Sequence, residues 1–143
     1  MNDATNTLRL VGVAVTTEVI RTNDGFDALQ LEWHRLLDEC GISPFQSFEY
    51  QRAWWKHFGE TNPDANLHII VVREDGRVIG IAPLFIEKVR VLGPITYTRL
   101  AFIGRGISDY LDLLIARGYE DVCVDRIVPC LAEVSRVVDV TIL

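Results

Sequence analysis

Apolar and polar positions divide the first part of this chain into one strand and two helices. Residues 8–20 are rich in Val, Thr and Ile, which favours a strand. Across residues 26–40 the apolar positions recur at roughly helical spacing, with Asp24 or Asp27 as candidate N-caps. The residues assigned to this apolar face are Phe26, Leu29, Leu31, Trp33, Leu36 and Leu37. A second helix, with an unusually aromatic composition, is predicted over residues 47–59.

Two adjacent tryptophans, Trp54 and Trp55, are the most conspicuous feature of the second predicted helix. Core packing is the favoured interpretation, because aromatic side chains supply much of the buried area of a small domain. Adjacent residues on a helix point in different directions. Stacking of one of the two rings on a ligand is therefore kept as an alternative.

The middle of the chain predicts a β-hairpin. Residues 67–73 and 78–86 are β-branched runs on either side of Asp75-Gly76, a strong two-residue turn signal. Pro83 lies in the second run and lacks the N–H that a central strand needs. We therefore expect the sheet to splay locally at Ala82-Pro83, which would open a groove.

The last part of the chain predicts two strands, a helix and a final strand. Residues 95–103 form the first strand, and a second short apolar run ends at Ile115. Residues 119–134 have helical spacing, although Pro129 should kink or divide that helix. A strand over residues 137–143 completes an α/β fold with a largely antiparallel central sheet flanked by helices, in the order β-α-α-β-β-β-β-α-β.

Composition narrows the classes of function. The 143 residues suit a single domain, with 14 Lys and Arg against 20 Asp and Glu and a net charge of −6. No basic run is present, which argues against nucleic acid or an anionic membrane as a partner. No apolar run approaches the roughly 20 residues of a membrane helix. The N-terminus does not resemble a signal peptide, so a cytoplasmic location is predicted.

The cysteines and histidines offer no strong catalytic or metal-binding pattern. Cys40, Cys123 and Cys130 are odd in number and lack a C-x-x-C pair, so they are predicted to be neutral thiols without a disulfide or zinc. A Ser–His–Asp triad has no G-x-S-x-G turn to expose its serine. The three histidines, each predicted to be exposed or to have hydrogen-bond partners, are His34, His57 and His68.

The segment with the most chemistry is residues 99–115, where a predicted strand runs into the bend Gly104-Arg105-Gly106. Polar groups follow the bend within a few positions, and ligand-facing groups often lie at such strand ends. The alternative is a purely structural role in the turn or as a cap. The candidate substrate-binding residues are Arg105, Ser108, Asp109, Tyr110 and Asp112.

Three stretches together resemble one group of enzymes. They are SPFQSFEYQRAWWKHFG (43–59), VVREDGRVIGIAPLF (71–85) and RLAFIGRGISDYLDLLI (99–115). Their order and spacing resemble the bacterial FemAB-like and CelD-like (cellulose biosynthesis) acetyltransferases of the GNAT superfamily. The resemblance extends over residues 31–143 and implies a GNAT-like fold.

The resemblance also implies an activity and a division of labour. Such proteins contain two GNAT-like halves, and residues 1–143 match the first half, so the chain is expected to be part of a longer acyltransferase. The substrate would be related to the cell envelope or to exopolysaccharide, with Arg105, Ser108, Asp109, Tyr110 and Asp112 on the acceptor side. The alternative is a non-catalytic GNAT-like scaffold or interaction domain. The resemblance assigns no catalytic residue.

A GNAT enzyme binds the acyl-CoA pyrophosphate with a Q/R-x-x-G-x-G/A loop, and this chain departs from that pattern. Arg105 lies between the glycines rather than three residues before them, and Asp109 and Asp112 would repel a phosphate. We therefore expect no cofactor in this domain and no metal. Acetyl-CoA or another acyl-CoA is expected in the full-length protein, bound by its second GNAT-like domain, with a small-molecule acceptor. The isolated domain is expected to be inactive.

Overall fold

The computed structural model describes residues 13–40, 44–106 and 111–142. Eight strands and four α-helices are present in this part of the chain. The strands are β1 (Val15–Ile20), β2 (Ala65–Leu67), β3 (Ile69–Glu74), β4 (Arg77–Ala82), β5 (Leu84–Leu92), β6 (Ile95–Phe102), β7 (Leu114–Ile115) and β8 (Val140–Ile142). The helices are α1 (Asn23–Asp27), α2 (Gln30–Cys40), α3 (Phe48–Trp54) and α4 (Glu120–Val134), and α3 continues as a π-helical turn over Trp55–Gly59.

The strands form two four-stranded sheets that share one long hairpin. One sheet has the order β1-β3-β4-β7 and the other β2-β5-β6-β8. All neighbours are antiparallel except β6 and β8, which are parallel. The predicted largely antiparallel arrangement with flanking helices is therefore confirmed, although it is divided between two sheets.

The division between the sheets lies at Pro83, where a splay was predicted. Pro83 separates β4 from β5 and has no N–H to donate, but its carbonyl accepts from Ile103 N–H at 2.8 Å. On the opposite strand His68 separates β2 from β3, and its N–H donates to Leu84 O at 2.9 Å. The hairpin therefore continues across the break while its two halves join different sheets.

The break also determines where the bend after β6 lies. β6 follows β5 until Phe102 pairs with Leu84, and β7 then pairs with β4 from Ile81. These two pairings lie close together on the same long strand, so the residues that directly follow β6 lie beside Pro83, and Ile103 N–H donates to its carbonyl. The bend at residues 103–106 is thereby held against the sheet break.

Helices pack on both faces of the sheet that contains β4. Gly80 faces α4, where an added Cβ would lie only 2.7 Å from Cys123 Sγ. Alternate residues Ile79 and Ile81 point to the other face, where α2 packs, and both are fully buried. An aromatic cluster holds α1, α2 and α3 together, with ring centroids 5.5–5.8 Å apart; its members are Phe26, Trp33 and Phe48.

Three predictions about the first helix were wrong. The predicted helix 26–40 is interrupted between α1 and α2, and Leu31, assigned to its apolar face, is 82% exposed. Its N-cap is neither Asp24 nor Asp27. The side chain of Thr22 accepts from Gly25 N–H at 3.0 Å, because the helix begins earlier than the apolar spacing indicated.

The boundaries of the other elements agree with the predictions in some cases and differ in others. The second helix has the predicted extent, with Ser47 as its N-cap. Pro129 does not divide α4, because it lies on the exposed side, where the carbonyl that it leaves unpaired can turn to solvent. The second hairpin strand continues beyond residue 86 to Leu92. The first strand begins at Val15, because residues 13 and 14 are described but are not part of a strand, and residues 1–12 lie outside the described part.

Candidate functional site

The bend after β6 requires glycine at two positions. Gly104 has φ +100° and Gly106 has φ +89°, values that L-amino acids with a Cβ rarely adopt. The N–H of Arg105 between them donates to Phe102 O at 3.3 Å. This backbone geometry positions Arg105 at the sheet break.

Helix α3 packs directly against this bend. A Cβ added to Gly104 would lie 3.0 Å from Leu111 Cδ2 and 3.5 Å from both Gln51 Nε2 and Tyr50 Cε1. The helix is in turn anchored to the neighbouring 3₁₀ turn (Pro44–Gln46), since Gln51 Nε2 donates to Phe45 O at 2.8 Å. An added Cβ would meet the two helix atoms at ordinary van der Waals distance and would crowd only Leu111, so the need for glycine at position 104 comes mainly from its φ angle.

Buried polar atoms without partners concentrate where α3 meets the bend. Five side-chain atoms of this kind occur in the described part of the chain. Four of them are Tyr50 Oη, Gln51 Oε1, Trp54 Nε1 and Arg105 Nε, which we call the α3–bend cluster. Since most buried polar atoms in proteins are hydrogen-bonded, this concentration requires an explanation, and a ligand that pairs with these atoms would provide one.

An open groove runs along the same face of α3. Its volume is about 430 Å³, and Tyr50, Ala53, Trp54, His57 and Phe58 line it. This size lies within the range of roughly 300–1,000 Å³ that small-molecule sites occupy. The rings of Trp54 and Phe58 are 5.3 Å apart, and Phe58 is half exposed, so the groove offers an aromatic wall.

The two tryptophans have different surroundings. Both are buried, so the predicted core role is confirmed. Trp55 Nε1 donates to Asn23 Oδ1 at 2.9 Å, whereas Trp54 lines the groove and its Nε1 has no partner. Trp54 also contacts Phe85, with the ring centroids 5.3 Å apart. The alternative of a ligand-facing ring therefore applies to Trp54 and not to Trp55.

The residues predicted from the sequence do not all lie at this groove. Arg105 belongs to the α3–bend cluster. Ser108, Asp109 and Tyr110 lie outside the described residues. Asp112 is exposed and lines a different cavity, and its backbone carbonyl accepts from Gln46 Nε2 at 3.1 Å.

The cavity that Asp112 lines has a volume of about 280 Å³ and an acidic lining. Glu39 and Glu120 also face it, against a single cation, Arg117. Burial tends to raise the pKa of Glu39, but hydrogen bonds from Arg35 and Arg77 outweigh it and hold that pKa below its usual value. The carboxylate of Glu39 is therefore charged at neutral pH but already paired with two arginines, which leaves Asp112 and Glu120 against Arg117 as the charges that would favour a cation over a phosphate.

The cysteines are neutral thiols, as predicted. Burial raises the pKa of Cys123 to about 11, and it also raises the pKa of Cys40 and of Cys130. All three are free. A thiolate nucleophile is therefore disfavoured at each position. Within residues 13–40, 44–106 and 111–142, no group of His, Cys, Asp and Glu could hold a metal ion.

The prediction that every histidine is exposed or has partners was wrong for His68. His34 contacts Glu49 at 2.6 Å and His57 lines the α3 groove. His68 is only 5% exposed and its Nε2 has no partner. The break in the hairpin turns this side chain inward, which the sequence position at a strand start did not indicate.

Sequence reasoning did not assign Tyr50 or Gln51 to a site, and it kept Trp54 only as one of two candidates for a ligand-stacking ring. A usable signal was present, because Tyr50, Trp54 and Phe58 recur every four residues and such residues share one helix face. The unpaired state of their polar atoms has no counterpart in the sequence. It depends on which groups the bend and the sheet bring near.

Comparison with known proteins supports the fold. No protein-family profile matches the chain, and no curated protein sequence matches it. The crystal structure of a GNAT family acetyltransferase from Staphylococcus aureus subsp. aureus USA300_TCH1516 superposes with a TM-score of 0.50 at 14% identity, over 90% of this chain and 84% of that one. The chain has a GNAT-type fold. The predicted GNAT-like fold class is thereby confirmed.

A second solved structure that is similar to this chain is a predicted acetyltransferase with acetyl-CoA from Clostridium acetobutylicum. Its TM-score is 0.37 at 15% identity, over 90% of this chain and 80% of that one. No helix in the described part of the GNAT-type fold is long and apolar enough to cross a membrane.

Proposed function

We propose that this chain is the acceptor-side half of an N-acyltransferase. Its substrate would be a cell-envelope or exopolysaccharide-related molecule, and residues 1–143 would be followed by a second GNAT-like domain. The observation that carries the proposal is the α3–bend cluster, four buried polar atoms without partners, two of which belong to Tyr50 and Trp54 in the lining of an open groove. The GNAT-type fold supports the reaction class, and the sequence resemblance supports the substrate class.

The chemistry of the cluster suits an acceptor with several polar groups. Trp54 Nε1 and Arg105 Nε can only donate, Gln51 Oε1 can only accept, and Tyr50 Oη can do either. The aromatic wall of the groove adds an apolar contact surface. An acceptor that has hydroxyl and amide groups on a compact skeleton would satisfy these atoms together.

The acceptor amine would be attracted by carboxylates, since an amine is cationic before it is acylated. In this proposal Asp109 and Asp112 supply that charge, with Ser108 and Tyr110 as further hydrogen-bonding groups. The acidic lining of the Asp112 cavity supports the role of Asp112. Arg105 would contact an anionic part of the substrate or an acyl-CoA phosphate presented by the second domain.

The described residues do not fit the pyrophosphate of acyl-CoA. Among the described residues, the element that follows the bend is the strand β7. None of the described helices therefore begins at the bend, where its N-terminal amides could bind a phosphate. The next helix, α4, has Glu120 and Asp121 in its first turn, which disfavours an anion. We therefore propose that the acyl-CoA site lies in the second domain, and we derive no step through it in this one.

Acyl-transfer assays of the full-length protein test this assignment. Tyr50→Phe and Arg105→Leu each remove a buried unpaired atom, so we expect kcat/KM to fall about tenfold or more while the melting temperature holds or rises. The matched control is Tyr97→Phe on β6, since the only hydrogen bond of Tyr97 Oη among the described residues is one that it accepts from Arg99 Nη1 at 3.5 Å. Unchanged kcat/KM in both cluster variants would contradict the proposal.

A second pair of variants tests the acceptor carboxylates. Asp109→Asn and Asp112→Asn should raise KM for the amine acceptor without lowering the melting temperature. Calorimetry of the chain with acetyl-CoA should show no binding at micromolar concentration. Micromolar binding would contradict the placement of the cofactor in another domain.

The alternative function is a non-catalytic scaffold, and one feature favours it. The tip of the β5–β6 hairpin exposes large apolar side chains, with Val91 62%, Leu92 75% and Ile95 59% exposed. Exposed apolar groups of this kind are typical of contact surfaces. Leu92→Lys should then abolish partner binding, and alanine at Asp109 and Asp112 should leave acyl transfer intact.

A further inference from the structure

A second cavity, separate from the α3 groove, contains the fifth unpartnered polar atom of the described chain. Its volume is about 350 Å³, and it lies between the hairpin at the sheet break and the C-terminal half of α4. His68 lines this cavity and is only 5% exposed. Its Nε2 has no hydrogen-bond partner. A cavity that a buried, unpaired imidazole faces has the character of a binding site.

Two opposite charges face the same cavity. Arg21 follows β1 and Glu133 lies in the last turn of α4, and both side chains are solvent-exposed. Neither side chain has a hydrogen bond or an ion pair within residues 13–40, 44–106 and 111–142. Arg21 is near enough to His68 to reinforce the lowering of the histidine pKa that burial causes. The cavity therefore offers a free cation, a free carboxylate and a neutral imidazole.

The remaining walls are mostly apolar. Val19 on β1, Ile86 on β5, Val134 on α4 and Val137 beyond it surround the polar groups. The volume is at the lower end of the roughly 300–1,000 Å³ of ligand sites, so the ligand must be small. Its charged groups would have to be of both signs, since a simple anion would meet Glu133 and a simple cation would meet Arg21.

We propose that this cavity binds a small zwitterion with an apolar side chain, such as a free aliphatic amino acid. The ligand carboxylate pairs with Arg21, its ammonium group pairs with Glu133, and its side chain contacts the aliphatic walls. His68 Nε2 gains the hydrogen-bond partner that it lacks. Neither the acceptor site nor the proposed acyl-CoA site uses these residues, so this proposal does not rest on the proposed function.

Titration calorimetry of the chain with L-leucine, at millimolar concentration, tests the proposal. We expect saturable binding that is lost about tenfold or more with L-leucinamide, which lacks the carboxylate, and with 4-methylpentanoate, which lacks the ammonium group. Equal binding of all three compounds would overturn the paired-charge assignment. Absence of saturable binding for leucine, isoleucine, valine and phenylalanine would overturn the proposal altogether.

Substitutions of the lining residues test whether leucine binds in this cavity. Arg21→Met and Glu133→Gln should each weaken leucine binding about tenfold, and both positions are exposed, so the fold is kept. Arg126→Met, at an exposed position of α4 that does not line the cavity, is the matched control and should bind normally. His68→Leu should weaken binding while it maintains or raises the melting temperature.

Cys130 gives an independent readout, because its thiol lines the same cavity. Bound leucine should slow iodoacetamide labelling of Cys130 several-fold, as measured by peptide mapping, without slowing that of Cys40. Saturable binding that leaves the labelling of Cys130 unchanged would place the ligand elsewhere and overturn the site.

Discussion

Two faces of helix α3 satisfy their polar groups to different extents. On one face, Arg52 bonds to Asp27 Oδ1 and Glu60 Oε2, both at 2.6 Å, and its guanidinium lies 5.6 Å from the centre of the Phe26 ring. On the other face, Tyr50 Oη and Trp54 Nε1 are buried without partners. One helix thus has a fully paired face and an unpaired face within two turns.

The difference between the two faces distinguishes polar groups that stabilise the fold from polar groups that remain available to bind a ligand. The paired face is what stability alone would favour, since each ion pair gives a partner to a charged group that is partly removed from water. An unpaired buried polar atom costs about 1–3 kcal/mol, so retaining several on one face is unfavourable unless a ligand completes them. The same reasoning applies to His68 on the hairpin, and the following predictions test this interpretation.

The largest expected effect on the free energy of unfolding comes from substitutions of two buried tryptophans. Trp33→Phe loses ring volume and the bond from Nε1 to Gln46 O at 2.9 Å, so we expect a loss of about 2–3 kcal/mol in the free energy of unfolding. Trp54→Phe loses a similar volume but no hydrogen bond, and should cost about 1–2 kcal/mol less. Urea unfolding measures both values. Equal losses would show that Trp54 Nε1 is paired in solution.

The paired face should respond more weakly, because it is partly exposed. Arg52→Met removes two ion pairs whose carboxylates are 32–54% exposed, and we expect a loss of about 1 kcal/mol. Salt should reduce the difference between this variant and the parent, since the charges are screened. A loss that is independent of salt would instead indicate packing on Phe26.

Tyr50→Phe should change stability by a smaller amount and in the opposite direction. The substitution removes a buried hydroxyl that has no partner, so the free energy of unfolding should stay constant or rise by up to about 1 kcal/mol. Thermal unfolding and urea unfolding both measure it. A clear loss of stability would mean that the hydroxyl is hydrogen-bonded and would weaken the case for a ligand at the α3–bend cluster.

The smallest expected effect is a dependence of the free energy of unfolding on pH. Burial and the nearby Arg21 lower the pKa of His68 below 6.5, so below pH 6.5 the folded state binds fewer protons than the unfolded state. Stability should therefore fall as pH decreases from 6.5, before Glu39 and Glu49, whose pKa values lie below 4.5, begin to contribute. In His68→Leu the decline between pH 6.5 and 4.5 should be absent. An identical decline would assign it to other groups.

Much of the secondary structure could be predicted because its signals are local. Asp75 and Gly76 have φ of +48° and +84°, as a two-residue hairpin turn requires, and Ser47 accepts from Tyr50 N–H as an N-cap. The break at Pro83 follows from a missing N–H, which is a property of one residue. Errors arose where the local signal was ambiguous, as at Leu31, whose apolar side chain faces solvent.

The candidate site was predicted less completely. The glycines of the bend and the position of Arg105 follow from the sequence, because only glycine adopts those backbone angles readily. The contribution of α3 to the site does not, since Tyr50 and Gln51 lie more than fifty positions away along the chain. Their proximity to Gly104 results from the packing of α3 against the sheet break.

By itself, the sequence determined the strand and helix order, the turn at Asp75-Gly76, the interruption at Pro83 and the neutral state of the thiols. These follow from backbone angles, missing donors and side-chain chemistry, which each residue carries wherever it is placed. Only the tertiary structure decided which polar atoms at Tyr50, Trp54 and His68 stay unpaired. Hydrogen bonding depends on groups that are distant in sequence, and their separation is set by the packing of the whole chain.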